Sequence, residues 1–259
     1  MKIFVINLER DVQRREFMAG QLARDQLTAE FVPAVYGASL SEEERTRLYS
    51  DRWAKIHRSR SLVPAEIGCA LSHLKVYEAM VRQEVPSALV LEDDVVIPPE
   101  MNAVVETCQK FLDVPIPTVI LLSPAEGLES KKANLVGTSH RLFQFKSGYF
   151  TSSYLLNQAA AVALGKELAP VSDVADCWKR LDGYKVIDLL VLSPTLIQQD
   201  QEVFGSSTTA DYRSFVGSKA RTWFGYKLRR VFSVVWNIFY SRYRRWLKPY
   251  AGLRIGTAS

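Results

Sequence analysis

The run Leu89 to Ile97, read Leu-Val-Leu-Glu-Asp-Asp-Val-Val-Ile, sets three adjacent carboxylates inside an otherwise apolar, β-branched stretch. Such a stretch reads as a buried strand of a parallel sheet. Unpaired carboxylates buried there would cost roughly several kcal/mol each, so a cation must meet them. If the strand stops at Leu91 or Glu92, the acids stand at its carboxyl end, where open α/β sheets bind ligands. Two partners answer the requirement. One is a divalent metal, Mn or Mg, carrying a nucleotide diphosphate, because hard oxygen ligands suit these ions and the ions bridge phosphates. The other is a Lys or Arg of the chain itself. Glu92 and Asp94 point to opposite faces of a continuing strand, so both can serve one metal only through a turn after Glu92 or a bridging water.

Strands and helices alternate around this segment. Residues 3–8 read as a strand, 11–26 as a helix with Phe17, Met18, Leu22 and Leu27 on one side, and 31–35 as a short strand. A polar stretch over 41–56 opens on Ser41 and Glu44, a capping pattern. A helix is expected over 64–84, the acidic strand over 88–97, a helix over 101–111 and a strand over 118–122. Two strand-like runs flank Lys146-Ser147-Gly148 between 143 and 156, an alanine-rich helix follows over 158–168, and a late strand spans 185–192. The alternation implies an α/β fold, a Rossmann-type, mostly parallel sheet flanked by helices.

Charge divides the chain. Residues 1–211 hold 22 basic and 28 acidic side chains, a net of −6, whereas after Asp211 there are eleven basic residues and no acid. An acidic body over 1–211 and a basic tail over 212–259 follow. Between Trp223 and Trp246, helical projection gathers Phe224, Leu228, Val231, Phe232, Val235, Ile238, Phe239 and Trp246 on one side, with Arg242 as the one charge inside the stripe, opposite Arg229, Arg230, Asn237, Arg244, Arg245 and Lys248. The apolar run from Val231 to Tyr240 is far short of the roughly 20 residues that span a bilayer. An interfacial helix on an anionic membrane surface fits it, with packing on the body or on a second subunit as the other reading. The amino terminus lacks a secretory pattern, and the three cysteines are odd in number and widely spaced. The expected location is cytoplasmic, peripheral at the inner face of the membrane, with no nucleic-acid partner.

Three further groups of residues carry chemistry. Asn7, Leu8, Glu9 and Arg10 follow the first strand, and Arg10 and Arg14 share a face at the start of the helix, where guanidinium groups beside free backbone donors suit a diphosphate. Glu66, Cys69, Ser72 and His73 open the helix at 64, and Ser72 and His73 can bond either a ligand or a neighbouring loop. Asp176 beside Trp178 is a carboxylate in apolar company, which raises a pKa toward the range of a general base. Asp173 is its competitor, and either could instead cap the helix through Trp178.

In this order, the segments resemble glycosyltransferase family 25: Asn-Leu-x-Arg-x-x-x-Arg from Asn7, Glu-x-Gly-Cys-x-x-Ser-His over 66–73, Leu-Glu-Asp-Asp-Val over 91–95, Ser-Ser-Tyr-Leu-Leu over 152–156 and Ala-Asp-x-Trp over 175–178. The resemblance covers about residues 1–207. It implies a GT-A-like fold and an inverting transfer of a sugar, galactose from UDP-galactose above all, to a lipooligosaccharide, lipopolysaccharide or related lipid-linked glycan acceptor. It further implies a donor site of Asn7, Leu8, Arg10, Arg14, Ser72, His73, Glu92 and Asp93, and a metal on Asp94 and Glu92. Asp176 or Asp173 would take the proton from the acceptor hydroxyl. The competing reading is a non-catalytic adaptor with a degenerate transferase body that binds nucleic acid or membrane through its tail.

Overall fold

A computed structural model describes residues 1–200, without the side chains of residues 130–133. The basic segment 212–259 lies outside the described residues. The first half of the described chain runs β1 (Lys2–Asn7), α1 (Val12–Arg24), β2 (Glu30–Pro33), a 3-10 turn (Gly37–Ser39), α2 (Glu42–Leu48), α3 (Asp51–Arg58), α4 (Pro64–Arg82), β3 (Ser87–Glu92) and β4 (Val95–Val96). The second half runs α5 (Met101–Gln109), β5 (Thr118–Leu121), β6 (Gly127–Val136), β7 (His140–Ser147), β8 (Ser153–Asn157), α6 (Gln158–Leu168), α7 (Trp178–Gly183), β9 (Asp188–Ser193) and β10 (Gln198–Gln199).

Eight strands form one Rossmann-like sheet in the order β2-β1-β3-β8-β5-β9-β7-β6. β1 pairs in parallel with β2 and β3, and β5 with β9, while β8 runs antiparallel between β3 and β5. β7 opposes β9 and β6. Six strands therefore point one way and two, β7 and β8, the other, a mostly parallel sheet as the alternation of elements implies. Period-two alternation divides its side chains. Ile3, Val5, Leu89, Leu91, Ile120 and Leu155 pack with Met18 and Leu22 of α1 and with Val104, Val105 and Cys108 of α5. The opposite face sends Tyr154 to His73 and Tyr77 of α4, and α4 packs on α6.

Two local features shape the carboxyl edge of the sheet. First, the expected strand over 88–97 breaks after Glu92: Asp93 and Asp94 form a turn, and Val95–Val96 pairs antiparallel with Gln198–Gln199 instead of extending the sheet. The charges of Asp93 and Asp94 find polar partners only past the sheet edge, so the ladder ends there. Second, the β2 end and α4 approach through two glycines. A Cβ on Gly68 would meet Val35 O and lie 2.7 Å from the Gly37 backbone N, and one on Gly37 would meet Pro64 O. Ser72 completes the joint, donating to Gly68 O at 2.7 Å and accepting from Val35 N at 2.8 Å.

The polar stretch over 41–56 becomes two helices. Ser41 and Glu44 form the capping box that the sequence announces, and the break falls at Tyr49, where Ser50 N and Val171 N exchange bonds with Val171 O and Leu48 O. Strand β6 has no counterpart in the periodicity reading, since its sequence carries Glu129, Lys131 and Lys132 and it lies at the sheet edge, where a polar strand is tolerated.

Candidate active site at the carboxyl edge of the sheet

The carboxyl ends of β1 and β3 and the start of β8 meet at one edge. Asn7 closes β1, and its Nδ2 donates to Asp93 Oδ2 at 2.7 Å. Arg14, in the first turn of α1, sends Nη1 to Asp93 Oδ1 at 3.1 Å and to Asp94 Oδ2 at 3.2 Å. Gln199 donates to Asp94 Oδ1 at 3.1 Å, and Asp200 N to Asp94 O at 2.7 Å. The chain thus supplies its own cation to the acidic turn. This also accounts for arginine at a helix start, where the dipole disfavours cations: two carboxylates stand in front of it.

One guanidinium does not balance two buried carboxylates and Glu92 beside them. Burial and the Glu92 charge push the Asp94 carboxyl up to about 6, against the pull of Gln199 and Arg14. Burial also raises Asp93 despite its bonds to Asn7 and Arg14. A site that holds anions at this electrostatic cost fits a further cation. Asp93 and Asp94 offer hard oxygens suited to Mg or Mn.

Glu92 has different neighbours from Asp94. Thr151 donates to Glu92 Oε1 at 2.8 Å, and His73 Nε2 lies 3.5 Å from the same oxygen. Burial works against the Glu92 charge, yet His73, Thr151 and Arg14 together hold the carboxyl below its ordinary value. His73 itself is 2% exposed, with Nδ1 bonded to Tyr154 Oη at 2.8 Å.

The other sequence candidates divide. Leu8 is half-buried and its carbonyl accepts from Asp11 N. Arg10 is exposed and lies 3.7 Å from the centre of the Tyr36 ring. Both hydrogen-bonding directions of the Ser72 hydroxyl are taken by the β2–α4 joint. Glu66 is locked by Arg60 in two bonds of 2.7 Å and accepts from Val63 N.

Asp173 and Asp176 are both buried, and Asp173 is bound by Arg58 and, at 2.7 Å, by Arg180, while its Oδ1 accepts from Val174 N. Burial opposes the Asp173 charge, but Arg180 and Arg58 outweigh it and hold the carboxyl below its ordinary value. That environment makes a poor proton acceptor. Arg58 Nη2 lies 3.9 Å from Asp176 Oδ1. Trp178, fully buried, donates Nε1 to Phe150 O at 2.9 Å and meets Tyr154 edge-on at 5.5 Å. Arg58, Thr151 and Gln199 escape sequence reasoning because each reaches its carboxylate across 59 or more residues.

Sheet and edge together define a Rossmann-like α/β protein with an acidic turn at the carboxyl ends of its first and third strands. The chain belongs to glycosyltransferase family 25: the family model described as "Glycosyltransferase family 25 (LPS biosynthesis protein)" matches residues 1–178. A glycosyltransferase 25 family member of Drosophila melanogaster is 36% identical over 108 residues, 40% of this chain and 18% of the relative. Human procollagen galactosyltransferase 2 is 35% identical over 97 residues, 36% of this chain and 16% of the relative. The matched segment thus spans less than a fifth of these relatives' length. A solved glycosyltransferase involved in glycosylation of the major capsid of PBCV-1 covers 63% of this chain and 64% of its own, at 11% identity and a TM-score of 0.30.

Proposed function

We propose that the protein is an inverting hexosyltransferase that moves galactose from UDP-galactose to a hydroxyl of a lipid-linked glycan of the lipopolysaccharide or lipooligosaccharide kind. The observation that carries this reading is the Asn7–Arg14–Asp93–Asp94 cluster at the carboxyl edge of a chain in this family. The family description names lipopolysaccharide biosynthesis, and the human relative's name supports galactose as the sugar.

In this reading Asp93 and Asp94 hold a divalent metal, and Asn7 and Arg14 fix their carboxylates in place. The metal supplies charge neutralisation of the leaving diphosphate when bound. Arg14, already at the acidic turn, and Arg10, in the turn that precedes α1, would supply guanidinium donors to phosphate oxygens. Asp176 takes the proton of the attacking acceptor hydroxyl. Asp173 is tied to Arg58 and Arg180, which favours Asp176 as the base. The basic, one-sided segment after residue 212 would bring this body to an anionic membrane face, where a lipid-linked acceptor resides.

A donor screen tests the proposal. UDP release would be followed with UDP-galactose, UDP-glucose and their N-acetyl forms, with Mn or with EDTA, for the wild-type chain and Asp94→Asn. The expected result is acceptor-stimulated release from UDP-galactose that EDTA and Asp94→Asn each abolish. Release from none of the donors, together with no UDP binding by calorimetry in the presence of Mn, would favour an adaptor with a degenerate transferase body.

A further inference from the structure

The cluster behind the acidic turn has chemistry that the proposed transfer does not use. Cys69 and His73 stand four apart on α4, one above the other on a single helical face, and Glu92 closes β3 opposite them. One ligand atom from each of the three lies within 4.8 Å of the other two. His73 is 2% exposed, and its Nε2 makes no hydrogen bond.

The surrounding contacts of His73 sharpen this. Tyr154 donates its hydroxyl hydrogen to Tyr77 Oη at 3.1 Å. Its hydroxyl also stands 2.8 Å from His73 Nδ1, so Nε2 is the ring nitrogen left to face Glu92. His73 Nε2 and Glu92 Oε1 face each other across 3.5 Å. On a tetrahedral zinc with bonds of about 2.0 to 2.1 Å, nitrogen and oxygen ligands stand about 3.3 Å apart. The observed spacing is close to that value.

We propose that Cys69, His73 and Glu92 form a second metal site, separate from Asp93 and Asp94, that takes a borderline transition ion of the zinc type rather than Mg or Mn. A thiolate, an imidazole and one carboxylate are the donor set of such ions, whereas the acidic turn offers oxygen alone. The Tyr154 contact supplies the outer-shell bond that metal-bound histidines make through their other ring nitrogen. Cys69 is half-buried, which leaves a path for the ion, and three protein ligands leave the fourth position to water. Binding releases the Cys69 proton to solvent as the sulfur–metal bond forms. The ion would clamp the first turns of α4 to the end of β3 and so fix the strand from which the Asp93–Asp94 turn departs.

The test uses the full chain and Co2+ alone as the probe, followed by Zn2+ competition. The wild-type protein should show a thiolate-to-cobalt charge-transfer band at one equivalent, and Zn2+ should abolish it. Cys69→Ser should lose the band and bind Zn2+ more than about 100-fold more weakly, a larger loss than outer-shell changes give, and Tyr154→Phe should weaken Zn2+ by about tenfold. Cys69→Ala should match Cys69→Ser, with circular dichroism of both unchanged. The double variant Asp93→Asn, Asp94→Asn should keep the band, which separates this site from the donor metal of the proposed transfer. Absence of the band in the wild type, its survival in both Cys69 variants, or its loss in the double aspartate variant would overturn the proposal.

Discussion

Asp94 bears the largest electrostatic burden of the candidate site, and its titration gives a stability prediction. Its carboxyl rises from an ordinary value of 3.8 to about 6 in the fold. The folded state therefore binds this proton more tightly than the unfolded chain, so the contribution of Asp94 to stability falls as pH rises from about 4 through about 6. Asp94→Asn removes the charge that the fold resists. Measured without metal, its stability should equal that of the wild type near pH 4 and exceed it increasingly as pH rises through about 6, by an amount on the order of 2 kcal/mol at pH 7, with the melting temperature raised accordingly. Activity should move the opposite way, with turnover nearly abolished. A melting curve displaced equally at all pH values would show that Arg14 and Gln199 already neutralise the site. The two acids near Trp178 should also separate. Asp173→Asn leaves Arg58 and Arg180 facing a lost charge and should cost roughly 3 to 5 kcal/mol in chemical denaturation. Asp176→Asn should lower kcat by about a hundredfold or more with donor affinity little changed and stability near wild type. Equal kinetic loss in a stable Asp173→Asn variant would move the proton-accepting role by three residues.

Among the elements, α4 does two jobs with one motif. Gly68 and Ser72 join it to the end of β2, while Cys69 and His73, on another face, reach the end of β3. Gly68→Ala places a Cβ against the Val35 carbonyl and the Gly37 backbone, neither of which is a flexible side chain. The substitution should cost about 1 to 3 kcal/mol by overpacking and lower the denaturation midpoint. Turnover per folded molecule should fall less than in Asp94→Asn, since the acidic turn is anchored from α1 by Arg14 and from β1 by Asn7. A Gly68→Ala variant of wild-type stability would mean that the β2–α4 joint can open at little cost. The acidic strand itself illustrates why element type was readable and its end was not. The apolar alternation through Leu91 fixes the strand, but where the ladder stops depends on Asn7, Arg14 and Gln199, which lie 86, 79 and 105 residues from their partners.

At the scale of the whole molecule, the acid-free segment after Asp211 sets an expectation outside the described residues. In the full chain, Phe232→Asp with Val235→Asp should abolish sedimentation with anionic liposomes and slow transfer to a lipid-linked acceptor, while leaving UDP binding in solution unchanged. A lowered melting temperature with unchanged liposome binding would instead place that apolar stripe in a core or a dimer interface. Local periodicity determined the alternation of strands and helices, the capping box at Ser41, the alanine-rich helix over 158–168 and the acidic segment at a strand end, because each depends on neighbours within a few residues. The family resemblance rests on these same short segments. Only the tertiary structure decided that β8 runs backwards between β3 and β5, that β6 completes the edge, that Arg14 rather than a distant lysine meets the acids, and that Glu92 turns to His73 while Asp94 turns to Gln199. Those outcomes depend on which buried charge finds which partner once the sheet has closed, and that is a property of contacts across the fold rather than of any window of the chain.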